Sequence, residues 1–395
     1  MTARPASPIS GLEATLPTAW YRREDVFALE CEHIFLAEWF CVARDEQLPQ
    51  PGDFRVVGVA GQSILLVRNR EGRVRGFYNV CRHRGARLCA PPQEAALGAV
   101  VLRGGVMPGG TIVCPYHAWT YSLDGQLLKA SHLEAHGAFD PSTVRLHAVA
   151  CESWGGFLFV NLASGDVPSL SASLGAVPQR LERYPLAGLR IARTLSYDVA
   201  ANWKVICENY NECYHCGPVH PELCRLVPAF RENGGASLDW QRGVPHRAGA
   251  DTFSQSGTSV RRSFPGLNED EQQRHKGELV YPNLLLSLAR EHVAAFLLEP
   301  LGPMRTRIGC HFLFEPYEMA QQHFDPTEVV EFWDLVNRQD WSICEQVQDG
   351  MSSRMFTAGY LAPMEQPSAD VSRYVTRRLG ARRPRARADE RQERE

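Results

Sequence analysis

Four cysteine and histidine side chains occur as two closely spaced pairs, Cys81-x-His83 and Cys114-x-x-His117. Each pair offers one thiolate and one imidazole, and turns between short strands could bring the two pairs to one site. Two thiolates that hold one iron and two imidazoles that hold the other form the ligand set of a Rieske [2Fe–2S] cluster. The four residues therefore predict an iron–sulfur site that relays single electrons.

A structural zinc site is the alternative, because it can use the same Cys₂His₂ ligands. Zinc sites usually pair cysteine with cysteine and histidine with histidine along the chain, whereas both pairs here are mixed. The residue pattern therefore favours the iron–sulfur cluster.

A second group of metal-binding side chains follows in a segment predicted to be helical, Asn202–Cys216. At about 100° per residue this helix would place Glu208, Glu212 and His215 on one face. His220 follows, after a glycine and a proline that should end the helix. Two histidines and one carboxylate on one face of an iron, with open positions opposite, form the O₂-activating site of non-haem Fe(II) oxygenases.

The carboxylate of such a site must come from elsewhere, and Asp340 on a predicted helix over residues 326–350 is the best candidate. Asp340 shares a helical face with several apolar residues, so its side chain should point inward. A buried carboxylate is costly unless it is paired or bound to a metal. Asp334 and Asp349 are the alternatives on the same helix.

The elements that must position these residues fall into two predicted domains of an α+β protein. Residues 40–165 contain short β-rich runs separated by turn signals, which predicts an all-β domain that includes both Cys–His pairs. Residues 166–376 mix strand and helix patterns, which predicts an antiparallel sheet flanked by helices. We expect residues 1–39 to pack on this catalytic domain and the highly charged residues 377–395 to form a disordered tail.

The composition, with 44% hydrophobic and 22% charged residues, is that of an ordinary globular protein. A formal charge of −3 predicts no general affinity for nucleic acid or anionic membranes. No apolar run approaches the ~20 residues needed to span a bilayer, and the first eleven residues lack a secretory signal. These features predict a cytoplasmic protein.

Twelve cysteines are scattered along the chain without the spacing of a disulfide framework, so reduced, buried thiols are the better interpretation. Cys89 is interpreted as one of these thiols and not as a ligand. Cys213-x-x-Cys216 could form a redox pair, but packing is the favoured interpretation. No glycine-rich dinucleotide fingerprint follows a strand, so electrons from NAD(P)H must arrive through a separate reductase.

Longer stretches around these motifs resemble one known family. Arg84-Gly85, Pro115–Trp119, the run from Asn202 to His220 and the run from Asp340 to Glu345 are similar to Rieske non-haem iron oxygenases. The likeness extends over about residues 20–375. It implies the terminal oxygenase (alpha) subunit, with a Rieske cluster, a mononuclear Fe(II) and O₂ as co-substrate. It also implies a flavin and iron–sulfur reductase as partner, and a homotrimer in which the Rieske centre of one subunit faces the mononuclear iron of its neighbour.

The resemblance also implies roles for two residues and contains one departure. Glu212, where many members have Asp, would link His215 of its own subunit to His117 of the partner subunit, and Asn209 would lie close to the iron. The departure is the thirty residues that separate His83 from Cys114, about twice the usual number. Because lengthening a loop costs little free energy, we expect a hairpin around residues 93–110 at the periphery of the cluster.

The substrate class is also suggested by resemblance. The run from Glu208 to Cys216 and the segment Tyr281–Leu288 are similar to oxygenases of the glycine betaine monooxygenase, stachydrine demethylase and carnitine monooxygenase types. The implied reaction is hydroxylation of an N-methyl group, after which the carbinolamine loses formaldehyde. An aromatic cage should hold the N-methyl cation. The alternatives are hydroxylation of an aromatic ring or another C–H bond, and an electron-transfer Rieske protein, which would leave His215, His220 and Asp340 unexplained.

Overall fold

The structure is a computed structural model that describes residues 11–90, 105–106, 108–133, 137, 139–236 and 238–380. The chain forms two compact units: Phe35–Arg190, and Met1–Ile34 together with Ile191–Glu395. Among the described residues, no helix is both long enough and apolar enough to cross a membrane.

The N-terminal segment contains β1 (Glu13–Ala14), α1 (Ala19–Arg22), α2 (Glu24–Glu30) and a π-helical turn, Cys31–Phe35. It belongs to the same unit as residues 191–395. A fully buried ion pair joins Glu30 to Lys204, and the indole N–H of Trp203 donates to Glu30 at 2.9 Å. Because each buried charge has a partner, this pair ties the N-terminal helices to the segment that carries the second candidate site.

The unit Phe35–Arg190 is built from antiparallel sheets. Its elements are β2 (Phe40–Arg44), β3 (Asp53–Val59), β4 (Gln62–Arg68), β5 (Val74–Tyr78), β6 (Gly105–Val106), β7 (Thr111–Val113), β8 (Thr120–Ser122), β9 (Leu127–Lys129), β10 (Ala148–Trp154), β11 (Phe157–Asn161), α3 (Leu170–Leu174) and α4 (Val177–Arg180). A seven-stranded sheet has the order β2-β11-β10-β5-β4-β3-β6, and a three-stranded sheet has the order β7-β8-β9. Cys81 and Cys114 belong to the hydrophobic core between them, with Leu65, Phe77 and Tyr121.

The edges of this unit differ from the predicted domain 40–165. Helices α3 and α4 belong to it, because the backbone N–H of Leu170 donates to Glu152 on β10 and the indole of Trp39 donates to the carbonyl of Pro168. Most of the hairpin predicted around residues 93–110 lies outside the described residues. Its described end, β6, pairs with β3, with Val106 opposite Asp53.

The larger unit continues with a six-stranded antiparallel sheet of order β12-β17-β16-β15-β14-β13, while β1 pairs with β18. Its elements are β12 (Arg190–Val199), α5 (Trp203–Tyr210), α6 (Cys216–Val219), α7 (Pro221–Leu226), β13 (Val244–Pro245), β14 (Arg274–Val280), β15 (Leu284–Leu288), β16 (Val293–Gly302), β17 (Arg305–Phe314), α8 (Pro316–Met319), α9 (Thr327–Gly350), β18 (Tyr360–Leu361) and α10 (Gln366–Leu379). Helix α5 contacts α9, α10 and β16. The α+β prediction is confirmed, and α5 and α9 are the elements that assemble the second candidate site.

Two predicted boundaries in this unit are wrong. The helix predicted over Asn202–Cys216 ends at Tyr210, because the side chain of Glu212 accepts the backbone N–H groups of Tyr214 and His215 and so replaces helical hydrogen bonds. The first three residues of the tail predicted from Arg377 are helical and belong to α10. The buried residues Val371, Val375 and Leu379 of this helix recur every four residues. The rest of the predicted tail, residues 381–395, lies outside the described residues.

Candidate metal centres

The two Cys–His loops have the same backbone geometry. In each loop the cysteine N–H donates to the carbonyl five residues later at 2.8 Å, and the cysteine carbonyl accepts the N–H four residues later at 3.1 Å. That fourth residue, Gly85 after Cys81 and Ala118 after Cys114, has a positive φ of 73° or 55°. Glycine reaches this conformation without strain. The two loops are therefore matching turns, although their sequences differ.

The four side chains of these loops lie together. The thiols of Cys81 and Cys114 are buried, whereas His83 and His117 are exposed and their ring centroids are 4.7 Å apart. The ring of His83 stacks on Trp119 at 4.8 Å. Burial raises the pKa of Cys81 in the absence of a metal. Two thiols on the inside and two imidazoles on the outside fit a cluster whose two irons take different ligands.

Tyr121 is a residue of this site that the sequence did not predict. It is fully buried on β8, and its hydroxyl lies 3.2 Å from the sulfur of Cys81. The same hydroxyl accepts the backbone N–H of Arg82 at 3.1 Å, which leaves its proton free to donate to the sulfur. A hydrogen bond to a ligand sulfur favours the more negative, reduced state of an iron–sulfur cluster. Only the loop closure brings Tyr121 to Cys81, so no local pattern could have revealed the contact.

Cys89, which was interpreted as a buried thiol, is 1% exposed, and burial raises its pKa to about 12. The side chain of Asn79 donates to the Cys89 carbonyl and accepts the Cys89 N–H at 3.0 Å. A buried thiol with so high a pKa stays protonated and is a poor metal ligand.

The second candidate centre brings together His215, His220 and Asp340, which offer three ligand atoms within 4.8 Å of one another. The Nε2 atoms of His215 and His220 lie 3.3 Å and 2.9 Å from the same oxygen of Asp340. His215 lies in the turn before α6, His220 directly before α7, and Asp340 in α9. Two imidazoles and one carboxylate with this convergence fit a mononuclear iron that keeps open positions.

Each histidine of this centre is oriented through its other ring nitrogen. The Nδ1 of His215 lies 2.5 Å from Glu212, and the Nδ1 of His220 lies 2.8 Å from the side-chain oxygen of Gln339. The amide of Gln339 in turn donates to Glu222 at 3.1 Å. Partners of this kind fix the tautomer, so both Nε2 atoms stay available for a metal. Gln339 was not predicted, although it directly precedes Asp340.

The charges of the centre also suit a cation. Burial alone would raise the pKa of Asp340, but hydrogen bonds from His215 and His220 outweigh it and lower the pKa to about 2. Burial would likewise lower the pKa of His215, but Asp340 and Glu212 raise it to about 10. Without a metal the site therefore holds an ionised carboxylate and a protonated imidazole, and a metal cation would take the place of that proton.

The other acidic and amide residues predicted near the second centre do not all lie close to its three candidate ligands. The amide of Asn209 is 3.3 Å from the Nε2 of His215, so Asn209 borders the centre. Glu208 was predicted on the same helical face, but it points away and accepts the hydroxyl proton of Tyr21 at 2.7 Å. Of the alternatives to Asp340, Asp334 binds Tyr197 and Arg338, and Asp349 is exposed.

Cys213 and Cys216 form a disulfide, so the interpretation that they only pack is wrong. The four-residue ring that they close includes His215, and it restricts the backbone of the turn that also carries Glu212. The thiol of Cys224 lies next to it and donates to the carbonyl of Cys216 at 3.3 Å. Apart from the two candidate cluster ligands, Cys81 and Cys114, the other eight cysteines are free thiols, as the sequence predicted.

A Rieske-type ligand set in a β domain, together with a two-histidine, one-carboxylate set in an α+β unit, defines an iron-dependent oxygenase of two centres. Residues 38–145 match the Rieske [2Fe-2S] domain family, and residues 186–381 match the ring hydroxylating alpha subunit family (catalytic domain). The chain belongs to the Rieske non-haem iron oxygenases, as an oxygenase (alpha) subunit. Members use a Rieske cluster, a mononuclear iron and O₂, which excludes the zinc and electron-carrier alternatives.

Several named relatives extend over most of the chain. The glycine betaine monooxygenase oxygenase subunit of Chromohalobacter salexigens is 30% identical over 375 residues, which cover 87% of this chain and 81% of the relative. The carnitine monooxygenase oxygenase subunit of Acinetobacter baumannii is 29% identical over 347 residues, 86% of each chain. The quaternary ammonium Rieske monooxygenase CntA in complex with L-carnitine is similar in structure, with a TM-score of 0.71, 25% identity and coverage of 93% and 96%.

Proposed function

We propose that this oxygenase removes an N-methyl group from a quaternary ammonium compound and releases formaldehyde. The observation that carries the proposal is a group of aromatic rings on the elements that also carry, or directly neighbour, residues of the candidate iron site. The ring of Phe296 on β16 lies 6.4 Å from Tyr210, 6.0 Å from Trp333 and 6.5 Å from Trp341, measured between centroids. Aromatic faces attract N-methylated cations without hydrogen bonds. These four rings are candidates for the cage that the sequence predicted but could not locate.

Two of these rings directly follow residues of the candidate iron site in the sequence. Tyr210 follows Asn209 at the end of α5, and its hydroxyl donates to the carbonyl of Leu286 at 2.7 Å. Trp341 follows Asp340 on α9 and is 9% exposed. A cation held among the rings would therefore lie close to the metal ligands. The relatives named above act on glycine betaine and carnitine by name, which agrees with this substrate class.

The reaction would proceed in two balanced steps. One methyl group, O₂, two electrons and two protons give a hydroxymethyl group and water. The carbinolamine then breaks its C–N bond, which yields formaldehyde, a tertiary amine and one proton. Bound iron would supply the activation of O₂. The chain itself would hold one methyl group toward His215, His220 and Asp340 and exclude water with its aromatic rings.

The electron path is also a proposal. Cys81, His83, Cys114 and His117 would hold the cluster, and its exposed imidazoles suit transfer to an acceptor outside the β unit. Glu212 already binds the Nδ1 of His215 at 2.5 Å. In a trimer it would also accept the ring N–H of His117 of the partner subunit, and one carboxylate would then join the two centres.

The partner would be a separate flavin and iron–sulfur reductase that takes its electrons from NAD(P)H. Two relatives are named oxygenase subunits, and a solved structure of CntA is described in terms of inter-subunit electron transfer. The cytoplasm stays a prediction from the sequence.

Hydroxylation of an aromatic ring is the second candidate function. It is favoured by the description of the matching catalytic family and by the apolar character of the four rings. Naphthalene 1,2-dioxygenase from a Rhodococcus species shares the fold, with a TM-score of 0.72, but at 20% identity it supports the fold alone.

Turnover with a surrogate reductase separates the two functions. The purified protein, loaded with iron, would be mixed with reductase, NADH and one compound from a set of betaines, carnitine, choline and naphthalene. We expect formaldehyde in a 1:1 ratio with consumed substrate for at least one quaternary ammonium compound. Ring-hydroxylated naphthalene without formaldehyde from any amine would refute the proposed function. Protein in which His215 is replaced by alanine serves as the inactive control.

A further inference from the structure

Two imidazoles near the aromatic rings have ring nitrogens without a hydrogen-bond partner. Among the residues that the structure describes, the Nδ1 of His275, which is 6% exposed, has no hydrogen-bond partner. Neither ring nitrogen of the half-buried His246 has a partner of good geometry there, although the backbone of Asp251 lies near that ring. Both rings contact Phe253, with centroid distances of 4.1 Å and 5.1 Å. A buried polar group without a hydrogen-bond partner destabilises the folded protein. Two such groups around one phenyl ring therefore suggest a site for a hydrogen-bonding ligand.

A third buried histidine in the same region is fully paired. The Nδ1 of His292 lies 3.0 Å from Glu291, and its Nε2 accepts the indole N–H of Trp333 at 3.2 Å. Within the described part of the chain, this neighbouring buried histidine therefore has its hydrogen bonds satisfied, whereas His275 does not.

Strand register places His275 on the face of the sheet that the iron-bearing helices cover. A side chain at Gly277 would meet the hydroxyl of Tyr210 at 3.4 Å, so Gly277 faces α5. His275 is two residues away on the same strand and shares that face. The ring of Trp333 lies 6.0 Å from both His275 and Phe296. A continuous series of rings thus leads from Tyr210 to His275.

The distance between Asp340 and the rings next to His275 suits a ligand that has a different functional group at each end. Trp333 precedes Asp340 by seven residues on α9, which is two turns or about 10 Å along the helix. A substrate whose reacting N-methyl group lies at the metal ligands would therefore contact His275 through a second group, several bonds away from the substrate's quaternary nitrogen.

The charge state of the two imidazoles indicates which functional group of the ligand they would bind. Burial lowers the pKa of His275 and lowers that of His246 to about 4, so both rings are neutral at pH 7. A neutral imidazole has one N–H to donate and no positive charge to repel the quaternary nitrogen nearby. The charges of Glu291 and Arg290 act on His246 in opposite directions. A carboxylate gains from the imidazole donors because hydrogen bonds to an ionised oxygen are about twice as strong as neutral ones.

We propose that His275, with His246 beside it, binds the carboxylate of a zwitterionic substrate whose trimethylammonium group lies among the aromatic rings. The inference rests on the proposed function and deepens it. It assigns the polar end of the substrate to two residues and favours betaines with an extended chain over quaternary amines that lack a carboxylate.

The test compares ligands with and without a carboxylate on the full-length, iron-loaded protein. Isothermal titration calorimetry would give Kd for γ-butyrobetaine and for tetramethylammonium, and formaldehyde release would be measured with the same compounds. We expect His275→Leu to weaken binding of γ-butyrobetaine about 10- to 100-fold and of tetramethylammonium by less than about threefold. His275→Gln, which keeps an N–H donor, should retain most of the affinity. His246→Leu should show the same selectivity with a smaller loss.

The matched control is His311→Leu, because His311 is a buried histidine on the same sheet. Its register partner is Ala295, the neighbour of Phe296, so it faces the opposite side, and its Nδ1 lies 2.9 Å from the hydroxyl of Thr194. Equal losses for both ligands, or no loss of γ-butyrobetaine binding in a folded His275→Leu variant, would overturn the inference alone. If the wild-type protein releases no formaldehyde from any quaternary amine, the proposed function fails and this inference fails with it. Should His275→Leu not fold, His246→Leu decides by the same comparison of the two ligands: a selective loss for γ-butyrobetaine supports the inference, and equal or no losses overturn it.

Discussion

The two candidate metal centres are assembled in contrasting ways. Each half of the Cys–His centre is a complete local turn that places one cysteine and one histidine within four residues of sequence. The His–His–Asp centre instead combines the turn around His215 with Asp340, which lies 125 residues later on another helix. The first centre therefore depends on two short loops that fold alike, and the second depends on the packing of α5 against α9.

This difference decides what a mutation should disturb. In the Cys–His centre the backbone turns supply most of the geometry, so a change at a neighbouring side chain should alter the electronic properties of the cluster more than its assembly. In the second centre, side chains such as Glu212 and Gln339 supply the orientation, so their removal should affect metal binding or electron transfer directly.

The largest effect is expected for His215→Ala. The variant should lose its mononuclear iron and its activity by at least about 10³-fold, because only two ligands remain. The visible and EPR spectra of the Rieske cluster should persist, since its four proposed ligands belong to a separate unit. Iron per chain, measured together with EPR, checks the result against His323→Ala, an exposed histidine of the same unit. Loss of both centres would mean that they are misassigned.

Glu212→Ala should come next, because it leaves the metal ligands in place and removes the proposed link between subunits. We expect both metals to be retained while substrate turnover falls about 10²-fold or more. The decisive measurement is single-turnover oxidation of the reduced cluster by stopped-flow absorbance, with Glu232→Ala as an exposed control. Normal rates of cluster oxidation in the variant would refute the bridge.

Gln339→Ala should have an intermediate effect. Without Gln339, the Nδ1–H of His220 loses its acceptor at 2.8 Å, and the ring can rotate or change tautomer. We expect mononuclear iron to bind about 10- to 100-fold more weakly, with activity restored at high iron concentration. Gln346→Ala on the exposed side of the same helix is the matched control. Unchanged iron affinity would show that the helix alone orients His220.

The contrast between the centres also explains what the sequence could predict. The mixed Cys–His spacing predicted that the four side chains lie together, and the inward face of α9 predicted the placement of Asp340 near His215 and His220, because both signals are periodic or local. The contacts of Tyr121 with Cys81 and of Gln339 with His220 join residues 40 and 119 positions apart, and no periodicity encodes them. The sequence predicted that α5 extends beyond Tyr210, where the helix in fact ends. The reason is related: the side chain of Glu212 accepts backbone N–H groups that a longer helix would use, and periodicity does not reveal this contact.

The smallest effect is expected for Tyr121→Phe, which removes one hydroxyl from the Cys–His centre. The variant should assemble its cluster normally, because the backbone turns around Cys81 and Cys114 are unchanged. Its midpoint reduction potential should fall by about 60 mV, the equivalent of one hydrogen bond of about 1.4 kcal/mol to a one-electron centre. A spectroelectrochemical titration measures this shift. Tyr116→Phe is the control, because that hydroxyl lies 3.4 Å from the side chain of Arg84 and away from the cysteines. If both variants keep the wild-type potential, the hydroxyl of Tyr121 supports the loop through Arg82 and does not tune the cluster.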